Sequence, residues 1–145
     1  MTFEQPFTVD TDLARIDLDT VHRWLSTDAY WAMGRSRETV QRAAEGSLNF
    51  GVFDGGGALC AYGRVVTDRA TFGWLCDVYV DRAHRGKGVG QLLARTVVDT
   101  LAPMGLKRVM LATHDAHAVY ERVGFVPVPA PEELMLLDRR DAPSA

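Results

Sequence analysis

The sequence predicts an α/β chain of the mixed α+β kind, in which a mostly antiparallel sheet is flanked by about four helices. Three observations carry this. Two amphipathic helical stretches precede residue 48, and three apolar runs with turns between them follow up to residue 80. From residue 89 the apolar period lengthens to 3.6, then short apolar runs return. A helix that joins two strands in this way makes those two strands parallel.

Taken in order, Phe7-Thr8-Val9-Asp10 is a short first strand. Residues 17–25 form a helix with Asp17 or Asp19 as N-cap, since Leu18, Val21, Trp24 and Leu25 share one face. Residues 26–35 are a loop holding the aromatic pair Tyr30-Trp31, together with Met33 and Arg35. Ser36 caps a second helix that runs to about Glu45 and ends at Gly46. Residues 48–53, 58–67 and 70–80 are the strands of an antiparallel meander, turned at Asp54-Gly55-Gly56-Gly57 and at Asp68-Arg69. Val89, Leu92, Leu93, Val97 and Leu101 recur at helical spacing until Pro103-Met104-Gly105 stops them. Residues 108–112 form a strand, 116–123 a short helix ended by Gly124, and 125–128 with 134–137 a last pair of strands.

Composition narrows the function classes. A chain of 145 residues without repeats or linkers fits one domain, 1–145. No apolar run nears the roughly 20 residues of a membrane-spanning helix. Met1-Thr2-Phe3-Glu4-Gln5-Pro6 lacks the basic start and apolar stretch of a signal peptide, so a cytoplasmic location and no membrane partner are expected. A net charge of −3 argues against a nucleic-acid surface and suits a small cationic substrate. Lys87 and Lys107 are the only lysines, an arginine bias expected of a GC-rich, bacterial genome. Cys60 and Cys76 sit in apolar runs and read as buried free thiols; four scattered histidines do not have the spacing of a metal site.

The strongest local signal is Val80-Asp81-Arg82-Ala83-His84-Arg85-Gly86-Lys87-Gly88-Val89-Gly90-Gln91. A strand runs into a glycine-rich turn, and a helix starts inside that turn. The first N–H groups of a helix lack partners and carry partial positive charge, and glycine lets an anion approach them. Arg85 and Lys87 add full charges. The turn is not a Walker A loop, because Gly88 rather than Ser or Thr follows Lys87. Nor is it a dinucleotide fingerprint: Gln91 and Leu93 stand where a third glycine is needed, and Met110 where the acid should be.

Arg85, Gly88 and Gly90 match the pyrophosphate signature of the GNAT N-acetyltransferase superfamily, which this chain resembles: Arg or Gln, two residues, Gly, one residue, then Gly or Ala. Ala116-His117-Ala118-Val119-Tyr120-Glu121-Arg122-Val123-Gly124-Phe125 matches its downstream segment, a Tyr followed shortly by Gly-Phe. The resemblance covers roughly residues 48–137. It implies a GNAT-like fold with two central parallel strands splayed apart, here 74–80 and 108–113, and acetyl-coenzyme A as cosubstrate without a metal. The pyrophosphate would lie on Arg85, Gly86, Lys87, Gly88, Val89, Gly90 and Gln91. A bulge around Val78, Tyr79 and Val80 would free N–H groups that polarise the acetyl carbonyl, and Val80 would also pair with the pantetheine arm as an extra strand would. Thr113 stands where many members have the Asn that holds this arm.

The implied activity moves acetyl to the primary amine of a small molecule or peptide by direct attack; the alternative is a catalytically silent module that binds the coenzyme. Tyr120 is the implied general acid at the sulfur, and a core tyrosine packed on Phe125 is its other reading. Asp77, grouped by strand alternation with Leu75 and Tyr79, is a candidate base or ammonium ligand, or else a solvated carboxylate. His114, and His117 with Asp115 as its helix cap, are further candidates or surface residues. Tyr30 and Trp31 either wall the acceptor site or plug the core. The partners expected are a small amine and, in a homodimer, a second copy joined through the terminal strands.

Overall fold

The computed structural model describes residues 7–141. Five strands form one sheet in the order β1-β2-β3-β4-β5: β1 Thr8–Asp10, β2 Leu48–Phe53, β3 Leu59–Thr67, β4 Phe72–Val80 and β5 Arg108–Met110. The first four pair antiparallel, and β4 pairs parallel with β5. The helices are α1 Leu18–Asp28, α2 Arg37–Glu45, α3 Val89–Leu101 and α4 His117–Glu121. No described helix is long and apolar enough to cross a membrane.

Local chemistry sets the boundaries. Asp17 caps α1 by accepting from Asp19 N and Thr20 N, and α1 runs three residues past Leu25. Ser36 caps α2 through Thr39 N, and Gly46 closes it. Asp54 Oδ1 accepts from Gly56 N and Ala58 N at 2.9 Å each, which folds the β2–β3 hairpin turn. Asp68 does the same for the β3–β4 turn through Ala70 N and Thr71 N, with Arg69 at φ 62°.

Each face of the sheet carries its own core. Leu18, Val21, Trp24 and Leu25 of α1 and Val40 and Ala44 of α2 pack with Tyr62 and Tyr79. Val89, Leu93, Ala94, Val97 and Leu101 of α3, with Tyr120 and Val123, pack with Phe50, Val52, Val65 and Leu75. Burying apolar surface on both faces is what holds these short elements together.

Two expectations are corrected. Leu75 and Tyr79 do not share a face: Leu75 lies in the α3 core and Tyr79 in the α1–α2 core. Tyr62 pairs with Tyr79 but Arg64 with Cys76, so β4 holds one extra residue against β3 at Asp77-Val78, and alternation changes phase there. The last pair of strands is also absent, since past residue 125 the described chain makes only the short 3-10 turn Pro131–Glu133. Pro127, Pro129 and Pro131 alternate. In a strand their missing N–H groups would empty one whole edge of donors. Beyond them Met135 is 98% exposed, with Leu136 and Leu137 nearly as open.

Candidate active site

The turn after β4 presents open space and an uncapped helix end. Gly86 and Gly88 both hold φ 79°, and a Cβ on either would meet no heavy atom within 4 Å, so the space before them is open. Gly88 is the N-cap of α3, no side chain caps this end, and its first turn has no acid. Leu92 N donates to Gly88 O at 3.0 Å, which leaves the preceding N–H groups of Val89, Gly90 and Gln91 as the free helix-end donors. Arg85, Gly86, Lys87 and Gly88 are all exposed, whereas the Val89 side chain is buried and anchors the turn. The Gln91 side chain is engaged elsewhere, donating to Val119 O at 3.2 Å and so tying α3 to α4.

Arg85 is positioned by residues far off in sequence. Its Nε donates to Val80 O at 2.9 Å, its Nη2 to Asp28 Oδ2 at 3.4 Å, and its guanidinium lies 5.2 Å over the Tyr79 ring. Asp28 also accepts from Arg82 Nε at 2.9 Å and from Tyr79 Oη at 2.6 Å. Arg82, and then the Tyr79 hydroxyl, hold the Asp28 carboxyl far below the usual carboxylate range. This anchor has no local sequence signal, because Asp28 lies 51 to 57 residues before its partners.

Next to the turn the sheet opens. β4 and β5 pair at Phe72–Arg108, Gly73–Val109 and Trp74–Met110, and no further. The edge of β4 from Leu75 to Val80 is therefore free of β5, and the Asp77-Val78 bulge falls within it. The Val78 and Val80 side chains lean on the α3 core, while Tyr79 points the other way, stacked on Trp24 at 5.3 Å.

Tyr120 of α4 packs edge-on to Phe125, with centroids 5.9 Å apart. Only 9% of it is exposed, and its hydroxyl has no hydrogen-bond partner among the described residues. Every fully enclosed side-chain nitrogen or oxygen among them does have one, so the Tyr120 hydroxyl must open onto a surface. Burial, with a smaller push from Asp115, raises its phenol to about 12. Thr113 Oγ1 accepts from Ala116 N at 3.1 Å and shapes the approach to α4. Asp115 is not the helix cap, since Ala116 holds that position without a side-chain bond.

Asp77 is not the open carboxylate considered from sequence. It is buried at φ 53°, and its oxygens accept from Trp31 Nε1 at 2.9 Å and from Arg35 Nη1 and Arg64 Nε at 2.7 Å each. Burial alone would raise its pKa, but Arg64 and Arg35 outweigh that and hold it below the usual range. Nothing bonds Asp77 to Tyr120; Asp77 serves the α1–α2 loop. In that loop Ala29 and Ala32 are buried in the core beneath α1 and α2, whereas Tyr30 and Met33 are exposed and Trp31 is 40% exposed, so the aromatic pair does not plug the core. Tyr30 stacks on His114 at 4.4 Å between ring centroids. The fold also gathers Asp54, Cys60 and His84 so that ligand-type atoms lie within 4.8 Å of one another, with His84 Nδ1 3.2 Å from Asp81.

The family model described as Acetyltransferase (GNAT) family matches residues 18–125. The chain belongs to this family. GNAT proteins use acetyl-coenzyme A, and the fold here is theirs. A solved GNAT structure from Xanthomonas campestris pv. campestris is 42% identical, with a TM-score of 0.85 over 91% of this chain and 92% of that one. A Gibberella zeae protein named "Putative acetyltransferase FG08082" is 30% identical over 128 residues, 75% of this chain and 72% of its own length. A Staphylococcus aureus structure with a TM-score of 0.74, covering 91% of this chain and 98% of that one, is 20% identical and speaks to the fold alone.

Proposed function

We propose that this chain transfers the acetyl group of acetyl-coenzyme A to the primary amine of a small molecule by direct attack. The observation that carries the reading is Tyr120, a largely buried phenol whose hydroxyl has no partner among the described residues and which lies within the stretch that the family model matches. The coenzyme supplies an acetyl thioester. The free N–H groups of Val89, Gly90 and Gln91, with Arg85 and Lys87, suit its pyrophosphate. The open edge of β4 offers peptide groups to its amide arm, as an added strand would use them.

Tyr120 keeps its proton at working pH, since its phenol stands at about 12. That is well above the roughly 8.5 of a free thiol, so Tyr120 donates a hydrogen bond to the departing sulfur rather than surrendering the proton outright. Asp77 acts through position: it fastens Trp31 and Arg35 of the α1–α2 loop beside the bulge. Tyr30, Trp31 and His114 border the acceptor entrance. Assembly as a homodimer is part of this reading, with the exposed Met135, Leu136 and Leu137 covered by a second copy; light scattering of the purified chain decides it.

The test is release of free thiol from acetyl-coenzyme A with a panel of amines. Amine-dependent release, with the acetyl amide found by mass spectrometry, supports the reading. Tight coenzyme binding without release for any amine would leave a silent binding module.

A further inference from the structure

Asp77 accepts two arginines on a single oxygen: Arg35 Nη1 and Arg64 Nε both lie 2.7 Å from Oδ2, while Trp31 Nε1 holds Oδ1 at 2.9 Å. Two guanidinium groups thus meet at one carboxylate, and one positive charge is left over. Among the described residues, neither arginine makes an ion pair with any other acid. The two arginine side chains are only 15% and 20% exposed, so bulk water screens the surplus charge poorly.

Neither guanidinium is used up. Arg64 Nη1 donates to Ser47 Oγ at 3.1 Å, but Arg64 Nη2 and the Nε and Nη2 of Arg35 donate to nothing in the described protein. Because fully enclosed side-chain nitrogens there all have partners, these three edges reach a surface. That surface adjoins the bulge, since Asp77 is the residue before Val78, and it adjoins the aromatic loop through Trp31.

Building on acetyl transfer as read above, we propose that the acceptor carries an anionic group, carboxylate or phosphate, next to its amine, and that Arg35 and Arg64 bind it. A planar guanidinium edge in a poorly screened site pairs with such oxyanions far better than with a neutral group. The same surplus charge repels an acceptor whose only ionic group is an ammonium, so simple alkylamines and polyamines are poor acceptors. This reverses the cationic preference inferred from net charge: the local balance at Asp77 outweighs a total of −3 spread over the surface.

The experiment titrates the full chain, saturated with coenzyme A, with matched pairs in a calorimeter. One pair is phenylalanine and phenethylamine, which differ by a carboxylate; the other is phosphoethanolamine and ethanolamine, which differ by a phosphate. We expect the anionic member of at least one pair to bind ten-fold or more tightly, with the gain shrinking as salt is raised. The pair that shows the gain identifies the anion. No preference in either pair, through equal binding or through none, overturns the proposal. Arg35→Gln should cut the preference to within about three-fold while leaving coenzyme binding unchanged, but the comparison of pairs needs no variant. Thiol release is read in parallel. Anion preference without release keeps this site and sinks acetyl transfer, whereas release only with the amines that lack an anionic group does the opposite.

Discussion

The Tyr30 ring lies flat on His114, 4.4 Å between centroids and 17° from parallel, and joins the α1–α2 loop to the segment between β5 and α4. Such a stack is worth about 0.5–1.5 kcal/mol. Tyr30→Ala should therefore raise the KM of the acceptor by roughly two- to ten-fold. The coenzyme Kd should not move, because neither residue touches the glycine turn. An unchanged acceptor KM would show that the stack only seals the surface.

Tyr120→Phe removes one oxygen that has no partner among the described residues. The melting temperature and the coenzyme Kd should hold, and kcat should fall by about 10²-fold or more. Equal turnover of variant and parent would remove Tyr120 from the reaction.

The Tyr120 phenol also sets a pH expectation. Its pKa is raised by burial, to about 12, so the hydroxyl stays protonated across the neutral and alkaline working range. The rate should climb with pH as the acceptor amine loses its proton, and Tyr120 should give no alkaline fall below about pH 10. A raised phenol stabilises the fold below its unfolded value of about 10, and that contribution is lost as pH rises from there through 12. Tyr120→Phe should flatten this alkaline loss in denaturation curves taken across pH 9 to 12.

Asp77→Asn separates charge from backbone, since Asn tolerates the positive φ that Asp77 adopts. It leaves two largely buried guanidinium groups without their counter-ion, and about 3 kcal/mol of stability should go in urea denaturation. The Asp77 carboxyl is depressed, so its contribution is complete above about pH 4 and is lost as acid titrates it below that. The parent protein should therefore lose more stability than the variant between pH 4 and pH 2.

Gly88→Ala tests the turn. Its Cβ would meet no neighbour, so the cost lies in a residue forced to φ 79°, about 1–2 kcal/mol. If the turn relaxes to escape it, the free N–H groups of Val89 and Gly90 swing away, and the coenzyme Kd should rise about ten-fold while α3 persists by circular dichroism.

The features that could be read from sequence are those whose cause is local. Asp17 and Ser36 announce the two N-terminal helices by capping them, and Gly86 and Gly88 announce the tight turn that opens α3. The Tyr120 segment is equally local. What escaped depends on partners distant in the chain. Asp28 gathers Tyr79, Arg82 and Arg85 across more than fifty residues, and Arg64 meets Asp77 from the neighbouring strand. The terminal strands fail for another reason: Pro127 interrupts 125–128, Pro129 and Pro131 follow it, and no described strand pairs with the apolar residues 134–137.

The extra residue of β4 at Asp77-Val78 has one more consequence. Leu75 answers to α3 and Tyr79 to α1 although an even number of positions separates them, and the extra residue supplies the change of phase. Deleting Asp77 would cost more than a carboxylate. The shortened strand would pair regularly from Leu75 to Val80 and keep its side chains on their present faces, but it would lose the bulge that frees backbone groups at the open edge. Here the count of residues is as much a part of the site as their chemistry.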